Sequence, residues 1–182
     1  MRIISGSEKG RKLKTLEGEH TRPTAEKVKE ALFSIIQFEI EGRRVLDLFA
    51  GSGQLGLEAL SRGARECVFV DNDKAAMQII RENAEKCRMT EKCRFFQTDY
   101  VTALKRPGEK YDIIIMDPPY KSGFHQNALE IISGFDMLAI NGIIIVETEV
   151  GTELPESIGS LNKLREYRYG RTMLTTYRRD GD

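Results

Sequence analysis

The chain has 182 residues, 40% hydrophobic and 31% charged with only 5 Pro, a composition that suits a soluble globular domain and excludes a disordered or collagen-like chain. The length fits one domain with at most a short appendage, no apolar run approaches the roughly 18 residues of a membrane span, and the first residues lack a signal-peptide core, so a cytoplasmic location is expected. Net charge is zero, from 28 basic and 28 acidic side chains, yet residues 1–24 and residues 161–182 each carry +3 and the stretch between them −6.

In chain order, Arg2–Ser5 and Arg11–Lys14 read as short strands around a Gly6–Gly10 turn. A helix is expected next, with Pro23 just before it, Thr24 as its cap, and Val28, Ala31, Leu32, Ile35 and Ile36 at the spacing of a buried stripe. Residues 1–40 are therefore read as an amino-terminal extension and residues 41–182 as the main domain. There, short apolar runs alternate with amphipathic stretches, the pattern of a parallel sheet covered by helices. Strands are expected at Arg43–Phe49, Glu66–Asn72, Cys93–Gln97, Asp112–Met116 and Gly142–Glu147, and helices at Leu55–Arg62, Lys74–Cys87 and His125–Phe135, with a short helical turn over 99–105. Lys163–Tyr169 and Met173–Arg179, on either side of Gly170-Arg171, read as a terminal antiparallel hairpin, for seven strands in all. Cys67, Cys87 and Cys93 are odd in number and lack metal-ligand spacing, so neither a disulfide framework nor a metal site is expected.

The strand Val45-Leu46-Asp47-Leu48-Phe49 runs into Ala50-Gly51-Ser52-Gly53-Gln54-Leu55-Gly56, a glycine turn that opens a helix. With Asp71 ending the next strand, this satisfies the G-x-G-x-x-G fingerprint of dinucleotide sites, in which the acid binds ribose hydroxyls. The same geometry serves S-adenosylmethionine. Asp47 tilts the choice toward that donor, because a carboxylate before the loop suits an ammonium and a sulfonium and repels a pyrophosphate. Expected donor contacts are Asp47, Ala50, Gly51, Gly53, Asp71 and Asn72, with Asp99 and Tyr100 after the third strand for an adenine ring. Asp99 is also a natural helix cap.

Asp117-Pro118-Pro119-Tyr120 directly follows Ile113-Ile114-Ile115-Met116, on the carboxyl rim where open parallel sheets bind ligands. Nicotinamide chemistry gives no reason for this tetrapeptide, whereas methylation of a base amino group does. That lone pair is delocalised into the ring; Asp117 and the Pro118 carbonyl can accept both N–H hydrogens, aim the lone pair and stabilise the charge that develops on nitrogen. Pro119 stiffens the turn, and Tyr120 can stack on an extracted base. His125 reads as a surface residue beside a loop of Lys121, Ser122, Gly123 and Phe124.

Together with Thr21-Arg22-Pro23-Thr24 ahead of Val28-Lys29-Glu30-Ala31-Leu32-Phe33, and with Arg2-Ile3-Ile4-Ser5-Gly6 and Gly10-Arg11-Lys12-Leu13, these motifs resemble the RsmD family of bacterial 16S ribosomal RNA guanine-N2 methyltransferases over essentially the whole chain. The resemblance implies an α/β, Rossmann-like class I S-adenosylmethionine-dependent methyltransferase fold, with a seven-stranded mostly parallel sheet, a carboxyl-terminal antiparallel hairpin and a small amino-terminal extension that helps hold RNA. It also implies 16S rRNA within small-subunit particles as the partner; a monomer without membrane or metal partners is expected. Arg11, Lys12, Arg22 and Pro23 are the candidate RNA contacts beside Tyr120. Residue chemistry alone does not choose among guanine N2, adenine N6 and cytosine N4, so a DNA adenine methyltransferase stays open. So do a nicotinamide-dependent dehydrogenase and a non-catalytic RNA-binding assembly factor.

Overall fold

The computed structural model describes residues 1–16, 23–119 and 123–181, with backbone alone at 23 and 24. Helix α1 spans Pro23–Ile35 and is followed by the alternation β1 Arg44–Leu48, α2 Gln54–Ser61, β2 Glu66–Asp71, α3 Lys74–Lys86, β3 Cys93–Gln97, α4 Tyr100–Leu104, β4 Tyr111–Met116 and α5 Phe124–Gly134. Four further strands close the chain: β5 Leu138–Glu149, β6 Ser157–Ile158, β7 Leu161–Tyr169 and β8 Thr172–Arg179. They form one eight-stranded sheet in the order β3-β2-β1-β4-β5-β8-β7-β6.

The central strands are apolar along their length because both faces are covered. On one face Val45, Cys67, Phe69, Ile113, Ile115, Ile143 and Ile145 pack with Ile3, Leu13 and the Val28, Leu32, Phe33 and Ile36 stripe. On the other, Leu46, Leu48, Val68, Val70, Ile114, Met116, Ile144 and Val146 meet Ala128, Leu129 and Ile132 of α5. Pairing is parallel from β3 through β5. It turns antiparallel at β5–β8 and β8–β7. Strand order reverses between β1 and β4, so their carboxyl ends diverge and leave a crevice, the place where such sheets bind ligands.

Several expectations are corrected. The sheet has an eighth strand: the two-residue β6 pairs through Ser157↔Asn162 and Ile158↔Leu161, too short to carry a periodic signal. β5 starts at Leu138 rather than Gly142, because half-exposed Ala139 and exposed Ile140 and Asn141 interrupt the apolar run without ending the strand. The helix begins at Pro23, so Thr24 lies inside it and the cap position falls outside the described residues. The two short amino-terminal strands reduce to a single Arg2↔Lys12 bridge, with Ile3 N–H donating to Arg11 O at 2.9 Å. His125 is buried in the first turn of α5, and burial lowers the pKa of its imidazole.

Residues 1–14 are fastened to the helices beside the glycine loop. Glu58 of α2 is fully buried and accepts Ile4 N–H at 2.7 Å and Ser5 N–H at 3.0 Å. It also pairs with Arg62 at 2.8 Å and with buried Lys29 of α1 at 3.5 Å, while Lys29 Nζ donates to Arg2 O at 2.6 Å. Burial lowers the pKa of Lys29 against the opposing pull of Glu58. The extension thus shares its core and its charge pairing with the main sheet.

Candidate active site

At the reversal of strand order lies a cavity of about 730 Å³, lined by residues from the ends of β1, β2, β3 and β4. Its glycine loop is held from behind. Gly51 N–H donates to Asp71 Oδ2 at 2.9 Å, Gly53 N–H to Ala50 O at 2.7 Å, and Gly56 N–H to Asp47 Oδ2 at 2.8 Å. Gly53 adopts φ 75°, a conformation that penalises side chains, and a Cβ there would stand 3.0 Å from Ile80 Cγ2. A Cβ on Gly56 would lie 2.3 Å from the Phe69 ring, so only glycine lets α2 sit this close to β2.

Five aspartates line the cavity, namely Asp47, Asp71, Asp73, Asp99 and Asp117, and no lysine, arginine or histidine joins them among the described residues. Asp47 is 1% exposed, and burial pushes its carboxyl up to about 8, with Asp117 and Asp71 adding to the rise and the Gly56 hydrogen bond opposing it. Such a wall favours a cation and disfavours a polyphosphate. Ser52 Oγ and Gln54 Oε1 are buried at the loop without a hydrogen-bond partner among the described residues. An unpaired buried polar atom carries a desolvation cost that a polar ligand relieves. Charge and orphaned atoms together fit a polar, cationic ligand such as S-adenosylmethionine.

Of the residues expected to contact the donor, Asp47, Ala50, Gly51, Asp71, Asn72, Asp99 and Tyr100 all line this cavity, whereas Gly53 shapes the loop from outside it. Asp71 spends its other oxygen on Asp73 N–H at 2.9 Å. Asp99 is a cap as well, accepting Thr102 N–H at 2.9 Å and Thr102 Oγ1 at 2.7 Å, and these bonds lower its pKa. Asp117, Pro118 and Pro119 close the opposite wall. Tyr120 and Arg22 lie outside the described residues.

Arg11 and Lys12 are not at the cavity. Lys86, at the far end of α3, donates to Lys12 O at 2.6 Å, which puts Lys12 about 20 Å of helix below the rim. Arg11 is paired with Glu8 at 2.6 Å. The chain then climbs past Asn83, which accepts Lys14 N–H at 2.8 Å, and brings Leu16 to the cavity wall.

An aromatic cluster at the cavity was not foreseen from the sequence. Phe49 stacks on Phe124 at 5.9 Å with 7° between planes and meets Tyr100 at 5.2 Å, while Tyr100 and Phe124 lie 5.1 Å apart. Phe49 holds φ 68°, a strained backbone for a bulky residue, fixed by its N–H and that of Ala50 both donating to Val70 O at 3.0 Å. An aromatic residue two places after Asp47, immediately before a glycine turn, was the available signal.

An open sheet with this reversal, a glycine loop under an acidic cavity and a terminal antiparallel strand at β8 define the class I S-adenosylmethionine-dependent methyltransferase fold. Comparison with known proteins narrows this further. The family described as Conserved hypothetical protein 95 matches residues 1–178, and the chain belongs to it, the RsmD family. YlbH of Bacillus subtilis (strain 168) is 42% identical over 184 residues, covering 100% of both chains. The ribosomal RNA small subunit methyltransferase D of Escherichia coli (strain K12) is 32% identical over 180 residues, covering 99% of this chain and 90% of that protein. The solved structure of yhhF from Escherichia coli superposes with a TM-score of 0.90 at 31% identity, over 100% of this chain and 99% of the other.

Proposed function

We propose that the chain transfers a methyl group from S-adenosylmethionine to the exocyclic N2 amino group of a guanine in 16S ribosomal RNA. The observation that carries this reading is the cavity itself: Asp47, Asp71, Asp73 and Asp99 line it together with Asp117-Pro118-Pro119, and no lysine, arginine or histidine lines it among the described residues. Membership of the RsmD family supports the RNA substrate, since relatives are named as ribosomal RNA methyltransferases.

When bound, S-adenosylmethionine supplies a methyl group activated by a cationic sulfur. Asp47, Ala50, Gly51, Gly53, Asp71, Asn72, Asp99 and Tyr100 would hold it, the ribose toward Asp71 and the adenine toward Asp99 and Tyr100. Asp117 and the Pro118 carbonyl accept the two N–H hydrogens of the target amine, which directs its lone pair at the methyl carbon. Charge that develops on nitrogen is stabilised by Asp117, which then takes the departing proton. Tyr120 stacks on the base, and Pro119 keeps the turn rigid. The amino-terminal Arg11, Lys12, Arg22 and Pro23 are proposed to touch the RNA away from the chemistry.

Deletion of the gene followed by mass spectrometry of ribosomal RNA and genomic DNA tests the assignment, with the purified protein added back to unmethylated small-subunit particles. Loss and restoration of one N2-methylguanine in the small-subunit RNA is the expected result. Loss of N6-methyladenine from DNA with ribosomal RNA unchanged would transfer the enzyme to another substrate class.

A further inference from the structure

We propose that the β7–β8 hairpin is a second RNA-contact surface, which holds the single-stranded RNA flanking the target base through Arg165, Arg168 and Arg171 and through Tyr167 and Tyr169. This inference rests on the RNA methyltransferase reading above and adds where the RNA lies.

The register brings the hairpin to the catalytic rim. Val146 on β5 pairs with Met116, the residue before Asp117, and Glu149, three positions further, pairs with Thr172 at the start of β8. Tyr169 pairs with Thr172, and Val150 N–H donates to Arg171 O at 2.9 Å, so the turn stands level with Asp117-Pro118-Pro119. Three strand spacings, about 14 Å, separate it from β4.

Its charge is available. Arg165, Arg168 and Arg171 are exposed, and none has a carboxylate partner among the described residues. Arg168 Nε reaches only Gly170 O, at 3.3 Å, and Arg165 lies over the Tyr167 ring at 5.9 Å. The acid in their midst, Glu166, is taken by Lys163 at 3.1 Å. Tyr167 and Tyr169 are half-buried against the α1 face of the sheet, each anchored by its packing with the ring partly open. Arg165, Tyr167 and Tyr169 share one face of this edge strand, Arg168 projects from the other and Arg171 stands at the turn. Cations beside anchored aromatic rings are what single-stranded nucleic acid binds, phosphates to the former and bases to the latter. Beyond Leu161 and Asn162, β7 is a sheet edge, and edges are commonly guarded by charge. Guarding needs charge of either sign; three unpaired arginines in seven residues, at the end of the strand nearest Asp117, match a polyanion.

Arg165→Gln, Arg168→Gln and Arg171→Gln combined in the full-length chain test the surface, since all three side chains are exposed. Affinity for naked 16S RNA and for unmethylated small-subunit particles is measured across a salt series, with S-adenosylhomocysteine affinity as the folding control. The expected result is weaker binding to both, a slope of log affinity against log salt shallower by about 2 to 3 from three lost phosphate contacts, and unchanged S-adenosylhomocysteine affinity. Wild-type affinity and slope in the variant would overturn the hairpin surface while leaving the methyltransferase reading in place. Normal binding to naked RNA with weakened binding to particles would overturn it too, in favour of a ribosomal-protein contact. A wild-type chain that binds neither RNA nor particles would remove both readings.

Discussion

Two buried carboxylates, Glu58 on α2 and Asp47 on β1 beside it, have opposite surroundings. Glu58 is enclosed by Lys29, Arg62 and the backbone N–H groups of Ile4 and Ser5. Asp47 accepts Gly56 N–H and looks toward Asp71 and Asp117, two more acids. The first arrangement is complete without a ligand and fastens the amino terminus to the helix behind the glycine loop. The second is left electrostatically unbalanced, and its imbalance is what a cationic ligand corrects. A buried acid that the protein itself pairs with cations marks scaffold; one held among other acids, and so kept protonated until a cation arrives, marks the site.

Breaking the balanced region carries the largest expected loss of stability. Glu58→Ala leaves Lys29 buried without its counter-ion and two N–H groups without an acceptor, and should destabilise the chain by about 3–5 kcal/mol in chemical denaturation. A loss below about 1 kcal/mol would show that the amino-terminal segment is merely laid on the surface.

The unbalanced region should respond in the opposite direction. Below about pH 4 the Asp47 carboxyl is neutral in both the folded and the unfolded chain. Between there and its folded value of about 8 only the unfolded chain ionises, so its contribution to stability falls as pH rises and levels off above that value. Asp47→Asn keeps an acceptor for Gly56 N–H and removes the ionisation, so the variant should be more stable than wild type at pH 9, by about 5 kcal/mol for a carboxyl raised to about 8. The gain should shrink toward pH 4, and donor affinity should drop. Equal melting curves at pH 9 would mean that Asp47 is better solvated than its burial implies.

A smaller effect is expected at Arg11, whose partner Glu8 is part of a surface turn. Arg11→Gln should cost less than about 1 kcal/mol, as exposed ion pairs do. A larger loss, read from the same denaturation curves, would extend the scaffold of Glu58 to the outer loop.

Much of the fold and site is legible in the sequence, and for physical reasons. Covered parallel strands must be apolar along their length, so Val45–Leu48 and Ile113–Met116 announce themselves, and a loop that brings backbone close to a ligand needs glycines at Gly51 and Gly53. What stays hidden depends on partners distant in sequence. Lys29 sits in an amphipathic helix like any solvated lysine, and nothing local says that Glu58, far along the chain, will bury it. Residues Phe49, Tyr100 and Phe124 converge only because the ends of β1, β3 and β4 share one rim. Equal charge counts at the two chain ends likewise conceal that Arg11 and Lys14 are paired while Arg165, Arg168 and Arg171 have no carboxylate partner among the described residues.

The role proposed for Asp117 lies in transfer rather than in donor binding, and the most direct measurement is Asp117→Ala assayed for both. Donor affinity by calorimetry should stay within a few-fold of wild type, while single-turnover methylation of unmethylated small-subunit particles should fall by about 10²–10³, the loss expected when a group stabilising transition-state charge is removed. Near-normal turnover with intact donor binding would contradict the mechanism.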